Sequence, residues 1–167
     1  METTCARQAP VSYTHLQGYA EDGYGEGGMG ETMHTYFFDY TVNRAYLCDT
    51  FEGYEPSQEG YVLLAADVTV KNTHTESIVM YDTDFRIQWG AEDIYDAPIT
   101  YYTNSASDEQ LPMEYELAAG ETRTGLLVFE VPDDQKDFSI SYPELFENGT
   151  EEGEEGDLFS VFFTAES

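Results

Sequence analysis

The sequence predicts an all-β domain: a two-sheet antiparallel sandwich of seven to nine strands that follows a flexible N-terminal tether. Aromatic residues are frequent, with 14 Tyr and 10 Phe among 167 residues, and aromatic and β-branched side chains favour strands. Apolar residues recur at every second position in many short segments, and turn residues separate these segments about every ten positions. Long runs of Ala, Leu, Lys and Glu at helical spacing are missing.

The chain length indicates one domain with a tail. Domains commonly contain roughly 100–150 residues, and a chain of 167 residues buries enough surface to form a core without a metal ion or a disulfide. Residues 1–30 are expected to form the tether, because residues 18–30 are rich in Gly and acidic residues and poor in aliphatic ones. Residues 31–167 are expected to form the sandwich.

Two segments define the centre of the predicted sandwich, and we expect them to pair. In residues 61–72, alternate apolar side chains share one face: Val62, Leu64, Ala66, Val68 and Val70. In residues 117–132, a turn at Gly120 precedes two alternating sets: Leu127, Phe129 and Val131 on one face, and Leu126, Val128 and Glu130 on the other. Pro132 is expected to end this strand, because it has no N–H to donate.

The same alternation locates the other strands. Residues 32–48 alternate over a length that predicts one bend or break, since strands average about five or six residues. Shorter strands are expected at residues 78–81, 85–89, 113–117, 138–142 and 158–164. A hairpin connection at residues 91–96 is expected to lead into residues 99–102. Pro143 is expected to end a strand, and residues 147–157 to form a solvated acidic loop. Trp89 is interpreted as a core anchor, with ligand stacking as the alternative.

The chain is strongly acidic, with 34 Asp and Glu residues against 6 Lys and Arg residues and a formal net charge of −28. Such a surface repels nucleic-acid phosphates and anionic lipids, so we expect no nucleic-acid-binding function. The simplest interpretation is a solubilising acidic surface, and the alternative is the attraction of a specific basic or cationic partner. No apolar run approaches the roughly 18 residues that a membrane-spanning helix needs.

The two cysteines, Cys5 and Cys48, are compatible with one disulfide bridge or with two free thiols. The sequence contains no Cys-x-x-Cys pair and no Cys/His cluster, so it does not indicate a zinc site. Met1 leads directly into Glu-Thr-Thr-Cys5 without an apolar leader, so we expect that a leader was trimmed from the natural chain. Cys5 is a lipidation candidate because a linker-like segment follows it, although Thr3 and Thr4 match the small-residue cleavage motif poorly.

Catalytic motifs are missing from the sequence. No Gly-x-Ser-x-Gly elbow, His-Glu-x-x-His or P-loop occurs. The three histidines, His15, His34 and His74, fall in the tether, a predicted strand and a predicted turn. Carboxylate pairs are so numerous in a chain with 34 acidic residues that they do not indicate glycosidase chemistry. We therefore expect no enzyme activity.

Calcium binding is a minority interpretation of the acidic turns, and no other cofactor is expected. Three clusters could gather oxygen ligands: Asp82 with Asp84; Asp93 with Asp96; and Asp133 with Asp134 and Asp137. None has the spacing of a 12-residue calcium loop, so solvated acidic turns are the favoured interpretation. Residues 148–150, Asn-Gly-Thr, form a glycosylation sequon only in a host that glycosylates it.

The segments 60–72, 84–87, 117–132 and 138–142 together resemble an immunoglobulin-like domain of secreted Gram-positive lipoproteins, a domain of unknown function labelled telomeric repeat-binding factor-like. The pattern is also similar in fold to the mycobacterial immunoprotective extracellular protein. The resemblance covers about residues 31–165. It implies an immunoglobulin-like sandwich and an extracytoplasmic location, commonly with a lipid anchor, and it supplies no catalytic residue. The telomere label does not imply DNA binding, because the charge of this chain opposes it.

These observations lead to one main functional hypothesis and two alternatives. The main hypothesis is a non-catalytic binding module that is extracellular or at the cell surface. It would be attached to the membrane only through a lipid anchor. Its partner would be a protein or glycan, and a basic partner is favoured. The first alternative is a structural spacer or accessory domain without a ligand, and the weaker one is a calcium-binding module. A contiguous exposed aromatic patch, formed for example by Tyr36, Tyr46, Tyr101 or Tyr102, favours binding; an evenly acidic surface favours a spacer.

Overall fold

The computed structural model describes residues 18–91, 94–146 and 153–167. Its strands, in chain order, are β1 (Tyr24–Gly28), β2 (Thr32–His34), β3 (Phe38–Cys48), β4 (Tyr61–Asn72), β5 (Ile78–Tyr81), β6 (Arg86–Trp89), β7 (Tyr95–Asp96), β8 (Glu114–Leu117), β9 (Thr122–Pro132), β10 (Asp137–Phe146) and β11 (Glu154–Thr164). These residues also form a 3-10 turn (Asp82–Asp84) and a short helix, α1 (Ile99–Thr103). The all-β prediction is confirmed, although the strand number exceeds seven to nine because β1, β2 and β7 are short additional strands.

Two main sheets form the sandwich. The five-stranded sheet has the order β1-β11-β10-β6-β7, and the four-stranded sheet has the order β2-β3-β4-β9. The two-stranded sheet β5-β8 lies beside them. All the described strand pairs are antiparallel except β1 with β11, which run parallel. The chain therefore places its first and last described strands next to each other.

The predicted central pair is confirmed as β4 and β9. Their antiparallel register runs without a shift from Tyr61 opposite Pro132 to Lys71 opposite Thr122. The set of alternate apolar residues on β4 and the set of Leu127, Phe129 and Val131 on β9 face the core, and Leu64 and Phe129 are fully enclosed there. Burial of each large apolar side chain contributes about 1.5–3 kcal/mol, so this pair supplies much of the stability.

The long alternating segment at residues 32–48 breaks once, as predicted. A turn separates β2 from β3, and the Thr35 side chain closes it: its hydroxyl donates to the Phe38 carbonyl at 2.7 Å and accepts from the Phe38 N–H at 3.1 Å. A β-bulge between Val42 and Arg44 then bends β3 against β4. Because the bulge shifts the register, Ala45 returns to the core after two exposed residues.

Aromatic side chains join the two main sheets inside the sandwich. The Phe38 ring lies 4.6 Å from the Tyr142 ring, and the Tyr40 ring lies 5.0 Å from the Phe85 ring, measured between centroids. The buried Tyr40 hydroxyl donates to the Ile140 carbonyl at 3.3 Å, so its polar atom has a partner. Trp89 is partly buried and packs against this core, as the anchor interpretation predicts.

A second, smaller core lies on the outer face of the four-stranded sheet; we call it the outer core. It consists of Leu63, Ala65, Ile99 and Val128, with Tyr46, Cys48, Phe51, Tyr54 and Leu126 packed against it. Helix α1 and the loop after β3 supply the cover. Glu130 continues this outer face, with only 9% of its surface exposed, and it accepts hydrogen bonds from the Ser57 N–H at 2.5 Å and the Gln58 N–H at 3.0 Å. Its carboxylate therefore fastens the covering loop to the sheet.

The expected N-terminal tether requires a correction. Residues 24–28 form β1 and pair with β11, from Tyr24 opposite Leu158 to Gly28 opposite Phe162. The glycines serve close packing, because a Cβ on Gly25 would lie 2.5 Å from the Phe159 ring and one on Gly27 would lie 2.7 Å from the Met33 sulfur. The tether prediction for residues 1–17 falls outside the described residues.

Three further expectations on the boundaries of elements were wrong. Pro143 does not end β10, because the register shifts between Pro143 and Leu145 and the strand continues past the irregularity. β11 begins at Glu154, so the end of the expected acidic loop is strand, and residues 147–152 lie outside the described ranges. The second strand of the hairpin is β7, and residues 99–102 belong to the helix α1. Asn104 caps this helix in the left-handed conformation (φ 55°).

Candidate functional site

The first predicted metal cluster lies on the 3-10 turn, where its two carboxylates serve different partners. Asp82 is buried, and its Oδ2 accepts from the Thr100 hydroxyl at 2.6 Å. Asp84 Oδ2 accepts from the Tyr81 N–H at 2.7 Å. Burial raises the pKa of Asp84 to about 6, and the neighbouring Asp82 adds to the shift. These two carboxylates hold the local fold together.

The predicted cluster of Asp133, Asp134 and Asp137 is spread along the turn between β9 and β10. Asp133 and Asp134 are exposed, and Asp137 Oδ1 accepts from the Thr164 hydroxyl at 2.5 Å. Across the part of the chain that the structure describes, no three His, Cys, Asp or Glu side chains converge as a metal site. The calcium hypothesis therefore stays a prediction without a described ligand set.

The predicted cluster of Asp93 and Asp96 is only partly described, since Asp93 lies outside the described residues. Asp96 Oδ1 accepts from the Ala97 N–H at 2.8 Å and also from the Tyr102 hydroxyl. This hydrogen bond raises the pKa of Tyr102 to about 12. The glycosylation sequon at residues 148–150 also falls outside the described residues.

The described histidines contact aromatic or acidic neighbours. His34 Nδ1 lies 2.9 Å from Asp39 Oδ1, and its ring stacks on Tyr19 with the centroids 4.2 Å apart. His74 lies beside Tyr36, with 5.9 Å between the ring centroids. His15 falls outside the described residues. His34 is thus a strand residue with a local partner, as expected from the sequence.

Cys48 is half-buried at the end of β3. Burial raises the pKa of its thiol, and Asp49 adds in the same direction, so the thiolate form is disfavoured. Cys5 lies outside the described residues. Its pairing with Cys48 and its lipidation both stay predictions.

The four tyrosines named as a binding patch do not share one surface cluster. Tyr36 is exposed and its ring contacts Phe146, with 5.4 Å between the centroids. Tyr101 and Tyr102 are exposed on α1 and contact each other. Tyr46 is half-buried against the outer core. An exposed aromatic surface of a different composition lies on the five-stranded sheet.

A groove of about 840 Å³ lies on the outer face of the five-stranded sheet; we call it the sheet groove. The residues that matter most for its chemistry are Tyr24, Glu26, Gln88, Ser139, Ser160 and Phe162. They come from β1, β6, β10 and β11, so four neighbouring strands build it. Its volume falls within the roughly 300–1,000 Å³ that is usual for ligand sites.

The strand register explains the shape of the groove. On β10 and β11, Ile140 and Val161 face the core, so their neighbours Ser139 and Ser160 face outward. Ser139 lies opposite Phe162 on one side and opposite Gln88 on the other. Small side chains in the middle of the sheet thus stand between large ones.

Ser139 and Ser160 form the floor of the groove, and Ser141 lies next to them on the same outward face. All three are buried although they face outward, because taller neighbours surround them. The Ser141 hydroxyl shares a hydrogen bond of 2.8 Å with the Ser160 hydroxyl and donates to Gln88 Oε1 at 3.2 Å. The floor is therefore polar and held in place by its own hydrogen bonds.

Aromatic rings and carboxylates form the rim. Tyr24 is 59% exposed and Phe162 is 53% exposed. Glu26 and Asp137 also line the groove and are exposed. Beyond the floor, the Arg86 guanidinium stacks over the Tyr95 ring at 4.3 Å. Neither His nor Cys appears among the lining residues, so the groove presents apolar rings, hydroxyls and negative charge, which suit recognition of a ligand.

Sequence reasoning found only half of this site. It predicted an alternating strand at residues 158–164, in which Leu158, Ser160 and Phe162 share one face, and all three line the groove. It missed Tyr24 and Glu26, because it assigned them to the tether. The alternation of small and large side chains on β11 was the available signal for a groove.

Comparison with known proteins identifies the family and the fold. Residues 27–151 match a family described as a domain of unknown function, DUF4352. The structure of YcdA, a candidate lipoprotein from Bacillus subtilis, is 15% identical with a TM-score of 0.58, and the match covers 80% of this chain and 38% of that one. The YjhA protein from the same organism is 20% identical with a TM-score of 0.58, covering 81% and 99%. No curated protein matches the chain.

At these identities the solved structures show the sandwich fold alone. The match spans well under half the length of YcdA. The resemblance noted from the sequence is confirmed as far as a domain of unknown function related to a candidate lipoprotein; the telomeric label and the mycobacterial likeness stay predictions. Within the described ranges, no helix has the length and apolar character to cross a bilayer. Because residues 27–151 are 125 of 167 residues, the chain belongs to the DUF4352 family.

Proposed function

We propose that this protein is an extracytoplasmic, surface-tethered and non-catalytic binding module that holds a basic polypeptide segment in the sheet groove. The observation that carries the proposal is the groove itself: exposed rings of Tyr24 and Phe162 flank a polar floor, with Glu26 and Asp137 on the rim. Rings and carboxylates together attract ammonium and guanidinium groups.

Charge supports a basic partner over a neutral or acidic one. A net charge of −28 repels acidic chains and accelerates the approach of cationic ones. Ser139 and Ser160, which line the groove, offer hydroxyl groups to the polar backbone of an extended ligand. A polypeptide with alternating basic residues would place its cations at the rim and its backbone over the floor.

The experiment is a binding titration by fluorescence anisotropy. The probe is a labelled decapeptide of alternating lysine and threonine, and its charge control replaces lysine with glutamate. We expect the lysine peptide alone to bind, with an affinity that falls by about an order of magnitude between 0.05 and 0.5 M salt. An affinity that does not change with salt contradicts charge-driven recognition.

Matched variants locate the binding surface. Phe162→Ala and Tyr24→Ala remove rings from the groove, while Tyr101→Ala removes an equally exposed ring from α1. We expect each groove variant to weaken the binding by about tenfold, as for a typical interface anchor, and the control to leave it unchanged. Equal effects of all three variants would contradict a site in the groove. Binding of chitohexaose in place of the peptide would replace the basic partner with a glycan.

The proposed location rests on Cys5 and on the fold shared with a candidate lipoprotein. Its test is metabolic labelling of host cells with an alkyne analogue of palmitate, followed by affinity capture of the protein. We expect label on the natural chain and none on Cys5→Ser, whereas Cys48→Ser keeps it. Label that survives in Cys5→Ser would contradict a lipid anchor at this residue.

A further inference from the structure

A second cavity, of about 440 Å³, opens beside β5 and β10; we call it the Asp84 pocket. Its walls are largely apolar and include Phe38, Ile78, Met80, Tyr142 and Leu145. Asp84 is the single carboxylate among the lining residues. The pocket shares no lining residue with the sheet groove, so it is a separate feature of the molecule.

Among the residues that the structure describes, the Asp84 carboxylate has no cationic partner. Its Oδ2 accepts from the Tyr81 N–H, and the charged or titratable groups around it are Asp82 on the same turn, Tyr115 of β8 and Tyr142 of β10. On the side of Tyr115, the Arg123 guanidinium stacks on the tyrosine ring at 5.3 Å. Among the described residues, no Lys, Arg or His forms an ion pair with Asp84.

An unpaired carboxylate beside apolar walls is poorly solvated. Burial is the main reason that its pKa is raised to about 6. A cation that enters the pocket would restore the lost electrostatic stabilisation, and an apolar stem behind the cation would contact the walls. Lysine has both parts, because its ammonium group lies at the end of four methylene groups.

We propose that the Asp84 pocket binds the side-chain ammonium group of a lysine from a partner polypeptide. The alkyl stem lies against Ile78, Met80 and Tyr142, and the ammonium donates to Asp84. The identity of the partner as a basic polypeptide rests on the proposed function, but the pocket does not depend on the sheet groove. The acidity of the whole chain, −28, favours a cation over any other occupant.

The test is an NMR titration of the protein with N-acetyl-lysine methylamide, with N-acetyl-norleucine methylamide as the control that keeps the stem and lacks the charge. We expect the lysine compound to shift the amide signals of Met80, Tyr81 and Asp84, and the norleucine compound to bind at least about tenfold more weakly. Equal binding of the two compounds would overturn the proposal, because the pocket would then recognise only the stem.

Variants identify the carboxylate that is responsible. Asp84→Asn keeps an oxygen that accepts from the Tyr81 N–H, and we expect it to weaken lysine binding about tenfold. Asp134→Asn removes the same charge from an exposed turn and should change nothing. Equal losses in both variants would show a general charge effect and contradict the proposal.

The pH dependence of the unmodified protein provides a measurement that needs no variant. Protonation of Asp84 removes the negative charge, so lysine binding should weaken as the pH falls below about 6. Binding that is constant between pH 7.5 and 5 would contradict the proposal. Phe162→Ala should leave the lysine compound bound, so failure of the decapeptide at the groove and failure of this pocket are separate results.

Discussion

The outer faces of the two main sheets differ in how much of their apolar surface is covered by the rest of the chain. On the four-stranded sheet, Leu63 and Val128 face outward but lie beneath α1 and the loop after β3. On the five-stranded sheet, Phe162 also faces outward, and 53% of it remains exposed. One apolar face is covered by the chain itself, and the other is left open as the sheet groove.

The difference separates residues that stabilise the fold from residues that are available to a ligand. Covering an apolar face removes it from water and contributes to stability. Aromatic side chains that stay exposed around a polar floor bring no such gain in stability, and they remain available to a ligand. The same contrast applies to two carboxylates: Glu130 is fully engaged by the covering loop, whereas Asp84 faces a pocket.

The largest expected effect comes from the covered face. Leu63→Ala should lower the free energy of unfolding by about 2–5 kcal/mol, because it creates a cavity beneath the outer core. Leu64→Ala, one residue away on the inner face, should cost a similar amount. Chemical denaturation measures both. If Leu63→Ala lowered the free energy of unfolding by less than about 1 kcal/mol while Leu64→Ala lowered it by about 2–5 kcal/mol, the outer core would not act as a second core.

The next effect concerns the carboxylate that fastens the cover. Glu130→Ala leaves the Ser57 and Gln58 N–H groups without their acceptor and should cost about 1.5–3 kcal/mol. Glu116→Ala, on an exposed position of β8, is the matched control and should be nearly neutral. Urea denaturation of the three proteins compares them, and equal stabilities would show that the loop is not held by Glu130.

Asp84 should behave in the opposite way, since its charge costs stability. The pKa of Asp84 is raised from 3.8 to about 6, so the folded state keeps its proton to higher pH than the unfolded state. This contribution is fully present below about pH 4 and is lost as the pH rises through about 6. Asp84→Asn should therefore be roughly 1–3 kcal/mol more stable than the natural protein at pH 7.

The sign of this prediction is checked by unfolding measurements at several pH values. The advantage of Asp84→Asn should shrink as the pH falls from 7 and vanish near pH 4. Asp134→Asn removes one negative charge from the exposed turn and controls for the reduced self-repulsion of the chain. An equal gain for both variants would assign the effect to net charge and not to the pocket.

The smallest effect is expected in the groove. Phe162→Ala should change the free energy of unfolding by less than about 0.5 kcal/mol, because the ring is half exposed and lies outside the core. Thermal and chemical denaturation provide the measurement. A loss comparable to that of Leu63→Ala would show that the ring supports the fold, and the contrast between the two outer faces would disappear.

The inner faces of the strands were predictable because alternation is a local property of the sequence. Residues 61–72 and 122–132 each carry their own signal, so the residues that share a face were grouped correctly. The outer core was not predictable, since it also needs the loop near Phe51 and the helix residue Ile99, which are distant in the chain. The sequence shows that Val128 is apolar but not what covers it.

The sites follow the same rule. The outward face of β11 was assigned from alternation, whereas the β1 half of the groove was hidden by its glycines. Gly25 and Gly27 indicate flexibility in a sequence, yet here they allow close contact with Phe159 and Met33. Asp84 was named as a metal candidate from its neighbour Asp82, and only the tertiary structure places it in an apolar pocket.

The parallel pairing of β1 with β11 has a mechanical consequence. Because the two strands run in the same direction, the chain enters β1 at one end of the pair and leaves β11 at the opposite end. A pull between an N-terminal attachment and the C-terminus would shear the hydrogen bonds of Tyr24–Gly28 all at once, instead of opening them one after another. A domain pulled in this direction would resist stretching at the pair formed by its first and last described strands.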